Sequence, residues 1–144
     1  MKKLILIRTI LFFIILSGIF IYFQWFQKPL HKSISRNDIE SIQIYGINTA
    51  ITLVDEAVLI DKLIKWFNNS SDIGPNKNFE GTTPESGIII NLKSGKRILI
   101  LRSGKDFEVQ RNDVRPKNIS YWAKQQDIKD YLDKLATNTK ELLR

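Results

Sequence analysis

The sequence predicts an α+β protein: an N-terminal transmembrane helix, then a ββαβββα domain whose antiparallel sheet carries two helices on one face. Three observations predict it. Leu4 to Phe26 is an apolar run whose only charge is Arg8. Apolar residues recur at helical spacing after Asp55, at Leu59, Ile60, Leu63, Ile64 and Phe67. A Ser-Gly-Lys triplet appears twice, nine residues apart, each time between strand-like runs.

The apolar run comes first. At 1.5 Å per residue it reaches roughly 34 Å, against a hydrocarbon core of ~30 Å. Its least interrupted part, Ile10–Phe23, reaches only about 21 Å, so Leu4–Ile7 and Trp25–Phe26 must join the span. Arg8 lies near one end, where its long side chain can carry the charge toward the headgroups. Tyr22, Trp25 and Phe26 lie near the other, where aromatic rings favour the interface. A cleaved secretory signal competes with this reading, but it needs small residues at the exit. Here the exit is Tyr22-Phe23-Gln24-Trp25-Phe26. A lipid anchor needs a cysteine, and the chain has none. A buried core helix is the third reading, although a helix apolar all round is rare in a soluble domain. Lys2, Lys3 and Arg8 on one flank nearly balance Lys28, Lys32 and Arg36 on the other. The basic start favours an internal N-terminus and an extracytoplasmic domain at the cell membrane.

Residues 1–27 thus form the anchor with its basic flank, and 28–37 a polar juxtamembrane linker expected to pack little. Residues 38–136 form one small domain, and 137–144 a tail expected to fray. Within the domain, Ile42–Tyr45 alternates, and Ala50–Val54 resumes an extended pattern after Gly46 and Asn48, as in a hairpin. Asp55 is the expected N-cap of the helix that ends near Asn68-Asn69. Asn68 to Gly87 is a polar stretch expected to be a long loop. Ile88–Leu92, Arg97–Leu101 and Asp106–Arg111 then read as a meander, with Gly95 and Gly104 at tight turns. Phe107 and Val109 should face the core, and Glu108 and Gln110 should point outward. Ser120 is the expected cap of a last helix whose stripe is Tyr121, Ile128, Leu132 and Leu135, broken by Gln125.

This order of strand Ile42–Tyr45, helix Asp55–Phe67, meander around Asn91-Leu92-Lys93-Ser94-Gly95-Lys96 and helix from Ser120 resembles a group of uncharacterised domains. They are the small membrane-anchored extracytoplasmic domains of Gram-positive bacteria that sit behind a lipoprotein signal or a single span. The resemblance covers most of residues 40–136. It implies no activity and transfers no site residues.

Charge and composition narrow the function. The formal net charge is +7, but residues 1–36 hold six of the 22 basic residues and no acid. The remainder is close to neutral, so the basic balance belongs to the membrane flanks, and nucleic acid is not an expected partner. His31 is the sole histidine, placed by the sequence as a polar juxtamembrane residue, and without cysteine no zinc cluster forms. Neither Gly95-Lys96 nor Gly104-Lys105 is followed by Ser or Thr and a helix, so both read as hairpin turns rather than phosphate loops. Asp127, Asp130 and Asp133, interleaved with Lys129 and Lys134, read as a solvated helix surface. No catalytic, metal-binding or cofactor-binding residue is expected, and no cofactor. The partners expected are the lipid bilayer, through residues 4–26, and another envelope protein. The contact candidates are Trp66 and Trp122 as aromatic anchors, with Asn76 and Phe79 in the long loop. The expected role is therefore that of a membrane-anchored accessory or binding protein. A carboxylate-dependent envelope enzyme and a structural subunit acting through its span stand as alternatives.

Overall fold

The computed structural model of the chain describes residues 8, 12–19, 30–47, 50–76, 84–104, 106–114 and 118–141, with side chains to 137. The domain is α+β. Seven antiparallel strands form one sheet: β1 (Ile39–Tyr45), β2 (Thr52–Leu53), β3 (Ser71–Pro75), β4 (Gly87–Leu92), β5 (Arg97–Ser103), β6 (Asp106–Arg111) and β7 (Ile119–Lys124). Their order across the sheet is β2-β1-β4-β5-β6-β7-β3. Helix α1 spans Ala57–Asn68 and α2 spans Gln126–Glu141.

The meander forms as its turns require. Gly95 and Gly104 take φ of 73° and 55°, a region that a Cβ disfavours. The register then sets facing rows, Ile42–Ile90–Ile98–Arg111 and Ile88–Ile100–Val109–Tyr121. Alternation puts these on one side of the sheet. Against them pack Leu63 and Phe67 of α1 and Ile128 and Leu132 of α2, all fully buried. Both helices lie on this side. Phe67 meets Arg111, Asp133 of α2 bonds Arg102, and the two arginines share a face by register.

Two strands lie where the sequence predicted none. The polar stretch Asn68–Gly87 contributes β3, which pairs with β7 as an edge strand. Its Ser-Asp-Ile-Gly-Pro sequence carries neither alternation nor β-branched enrichment beyond Ile73, so pairing is imposed by the neighbouring strand. The helix expected from Ser120 is strand β7 up to Lys124, because Ile119, Tyr121 and Ala123 alternate with Ser120, Trp122 and Lys124. Gln125, which breaks the helical stripe, is the cap: its Oε1 accepts the Ile128 N–H at 2.7 Å. Helix α2 continues to Glu141. At α1 the cap position is Glu56 rather than Asp55, without a side-chain cap bond.

The juxtamembrane segment is packed rather than loose. Ile34 is buried in the core, and Leu30 packs against it. Asn68 at the end of α1 grips the Ile34 backbone twice, accepting its N–H at 2.8 Å and donating to its carbonyl at 2.9 Å. Ser35 and Asp38 then form a capping box around the 3-10 turn Arg36–Asp38.

Residues 12–19 are helical, with Phe12, Phe13, Ile14, Ile15, Leu16 and Ile19 at least half exposed. Among the described residues no helix is long and apolar enough to cross a membrane. Leu4–Ile7, Tyr22, Trp25 and Phe26 lie outside the described residues.

Candidate functional site

Two groups of side chains stand out, one on each side of the sheet. The first occupies the face opposite the helices. Its rows are Gln43–Ile89–Leu99–Gln110–Ser120 and Tyr45–Gly87–Leu101–Glu108–Trp122. Gly87 is required there: a Cβ on it would stand 2.5 Å from the Tyr45 ring, which lies across it. Glu108 points to this face as the alternation demands, yet it is buried rather than solvated. Its Oε1 accepts from Asn76 Nδ2 at 3.3 Å, from Gln110 Nε2 at 3.0 Å and from Ser120 Oγ. Among the described residues no cation pairs with it. Three neutral donors thus converge on one oxygen of this carboxyl group. Half-buried Trp122 stands directly across from it in the register. Beside them is a cleft of about 360 Å³, with Gly95, Arg97, Leu99, Gln110, Arg111 and Asn112 among its walls.

The second group lies on the helix side, where the chain enters the domain. Arg111 is fully enclosed, and its Nε and Nη2 donate to the two oxygens of Asp113 at 2.7 and 2.6 Å. Its Nη1 donates to the Lys32 carbonyl at 2.7 Å, and its guanidinium carbon lies 5.6 Å from the centre of the Phe67 ring. His31 packs on Phe67 at 4.6 Å between ring centres and shares a hydrogen bond of 2.9 Å between Nδ1 and the Tyr121 hydroxyl. Its Nε2 is buried, with no partner in hydrogen-bond geometry among the described residues.

The electrostatics follow from that enclosure. Burial, then the Arg111 charge, lowers the His31 pKa below its ordinary 6.5. Burial raises the Tyr121 phenol. Burial would lift Asp113 as well, but the Arg111 guanidinium outweighs it and holds the carboxyl below its ordinary range. Burial works against the Arg111 charge too, and the bonds to Asp113 and Tyr121 outweigh it. His31 is therefore neutral at pH 7 and, with Arg111, fixes residues 31–32 to α1, β6 and β7. The group is a clamp on the chain.

Among the described residues, Tyr121 pairs with His31, its phenol pushed up rather than activated, and Ser120 Oγ donates to buried Glu108. A pair of acids with raised pKa would support carboxylate catalysis, whereas Asp113 and Asp133 are both held down by cations that outweigh their burial. Among the described residues no cluster of His, Cys, Asp and Glu could hold a metal.

No family profile, curated protein or solved structure matches this chain. The reading of the site therefore rests on geometry.

The sequence-predicted contact residues separate. Asn76 and Trp122 come together on the open face, joined through Glu108. Trp66 stands on the other side, half-buried on α1 with its ring 6.2 Å from that of Tyr131 on α2. Phe79 lies outside the described residues. Glu108, Arg111 and His31 were not among the expected site residues. A signal for Arg111 is present: Phe107, Val109 and Arg111 alternate on one face, which carries the arginine inward, and Asp113 follows two residues later.

The clamp gives a signed pH dependence. Because the folded state disfavours protonated His31, the unfolded chain binds more protons once the pH falls below about 6.5, and stability drops in that direction. Asp113 adds its own loss only as the pH falls past its ordinary 3.8 toward its lowered folded value. Urea midpoints in detergent micelles should therefore decline from pH 7 to pH 5 in the native chain. His31→Gln should flatten that decline, and an equally steep decline in the variant would contradict the assignment.

Proposed function

We propose that the protein is a single-span membrane protein whose extracytoplasmic domain binds another envelope protein through the open face of its sheet. The observation that carries the proposal is the pairing of half-buried Trp122 with buried Glu108, which forms no ion pair among the described residues, on the face opposite α1 and α2. Tryptophan is enriched at interface centres, and the adjoining carboxyl, which no described cation pairs, gives this one a polar neighbour. It suits a partner offering an apolar pocket next to a lysine or arginine.

The membrane part of the reading is supported by the length of the Leu4–Phe26 run and by its flanks. It is supported as well by the exposure of the apolar side chains along helical residues 12–19. The extracytoplasmic placement rests on the basic start, Lys2-Lys3. The clamp at His31 and Arg111 adds a consequence: residues 31–32, which lead from the anchor, are tied to the domain core.

In-cell photocrosslinking tests the proposal. A photoreactive phenylalanine analogue at position 122, in the full chain expressed in its native cells, should give a discrete higher-mass adduct. The same analogue at position 66, on the helix side, should not. Trp122→Ala should weaken binding of the recovered partner by at least about 30-fold, the effect of losing an interface anchor. Identical adducts from both positions, or none from position 122, would sink the open-face assignment.

A further inference from the structure

We propose that one end of the sheet, the end along which residues 30–38 run, docks on anionic phospholipid headgroups. The inference rests on the membrane reading above and extends it from the anchor to the domain.

The course of the chain defines this end. Lys32 is bonded to Arg111 at the end of β6, and the Asp38 carbonyl accepts from the Lys93 N–H at 2.9 Å in the β4–β5 turn. Lys32 and Lys93 line one cleft of about 380 Å³, with Asn37, Asp38 and Asp113 among its other walls. Lys96 and Arg97 line an adjoining cleft with Glu40, and Leu92 belongs to both. Arg36 is exposed on the 3-10 turn between them.

The charge at this end is unbalanced in a way that the near-neutral composition conceals. Among the described residues Lys32, Arg36, Lys93, Lys96 and Arg97 form no ion pair. The local acids are Asp38, Glu40 and Asp113, and Asp113 is already taken by Arg111. Among the described residues at the opposite end, Arg102 pairs with Glu85 and Asp133, Lys129 with Asp133, and Lys124 with Asp72. The domain therefore carries unpaired positive charge at one end and compensated charge at the other.

The tether brings the positive end to the bilayer. Only four chain steps separate Phe26, the last residue of the apolar run, from Leu30, which packs on the core. They span at most ~14 Å, and the clamp leaves no slack beyond them. Anionic headgroups attract each nearby Lys or Arg by about fivefold in partition, within a Debye length of ~8 Å at physiological salt. Five unpaired cations at this distance supply a specific resting attitude, with the charge-paired end turned outward.

The test uses the full chain in nanodiscs. The sequence has no cysteine, so Ser94→Cys and, separately, Asp127→Cys place a single nitroxide at the basic turn and at the far end. The measurement is collision with a water-soluble nickel chelate. In discs containing phosphatidylglycerol the label at position 94 should be several-fold less accessible than in phosphatidylcholine discs. The label at position 127 should not change. Lys93→Gln, Lys96→Gln and Arg97→Gln together, or 0.5 M salt, should return position 94 to its neutral-lipid value. Equal accessibility of position 94 in both lipids would overturn the docking proposal while leaving the anchor intact. A chain that associates with neither disc would overturn the membrane reading and the docking proposal together.

Discussion

Arg111→Met should lower the unfolding free energy by about 3–5 kcal/mol, the usual cost of breaking a buried ion pair by removing one partner. The cost has three sources. Asp113, only 11% exposed at its side chain, keeps a charge without its counter-ion. The Lys32 carbonyl loses its donor. Phe67 loses the guanidinium above its ring. A second substitution separates these sources. Arg111→Met with Asp113→Asn removes the stranded charge and should recover part of the loss, because replacing both members of a buried pair costs less than removing one. Urea unfolding in detergent micelles reads both variants. A double variant no better than the single one would mean that the bond to Lys32, rather than the ion pair, dominates.

Phe67→Ala should cost a similar amount, about 3–5 kcal/mol, through lost burial and the cavity left behind. Phe67 is fully buried and is the hub of the entry region, touching His31 on one side and Arg111 on the other. Since total stabilities are about 5–15 kcal/mol, either variant consumes a large share. Their effects should not add. Phe67 and Arg111 share contacts, so the double variant should fall short of the sum by ~0.5–3 kcal/mol. Additive losses would show that the ring and the guanidinium act independently, against the idea of one clamp.

Much of the fold is legible in the sequence where local signals agree with tertiary ones. Helix α1 follows its stripe, with Ile60, Leu63, Ile64 and Phe67 buried. The β4–β5–β6 meander follows its glycines and its alternation. The failures share a cause. Strand β3 has no pattern of its own, and β7 supplies the pairing that makes Ser71–Pro75 a strand. Strand β7 reads as helical from sequence because Tyr121 falls in phase with Ile128 and Leu132, although its own alternation of Ile119, Tyr121 and Ala123 is the shorter-range signal. The site is less legible still. Alternation in β6 turns Glu108 away from Phe107 and Val109, yet it is buried, and that burial depends on Asn76 and Ser120, which are 32 and 12 residues away in sequence. His31 reads as a linker residue because Tyr121, its partner, lies 90 residues on. A clamp assembled from four separate segments leaves no contiguous motif.

The clamp ties residues 31–34 into the domain, where a polar linker would be expected to pack little. Hydrogen exchange of the full chain in nanodiscs tests it at the Ile34 amide, which donates to Asn68 Oδ1. Protection at Ile34 comparable to that of the Ile88–Leu92 strand, and lost in Arg111→Met, is the expected result. Exchange at the rate of an open chain in the native protein would contradict it.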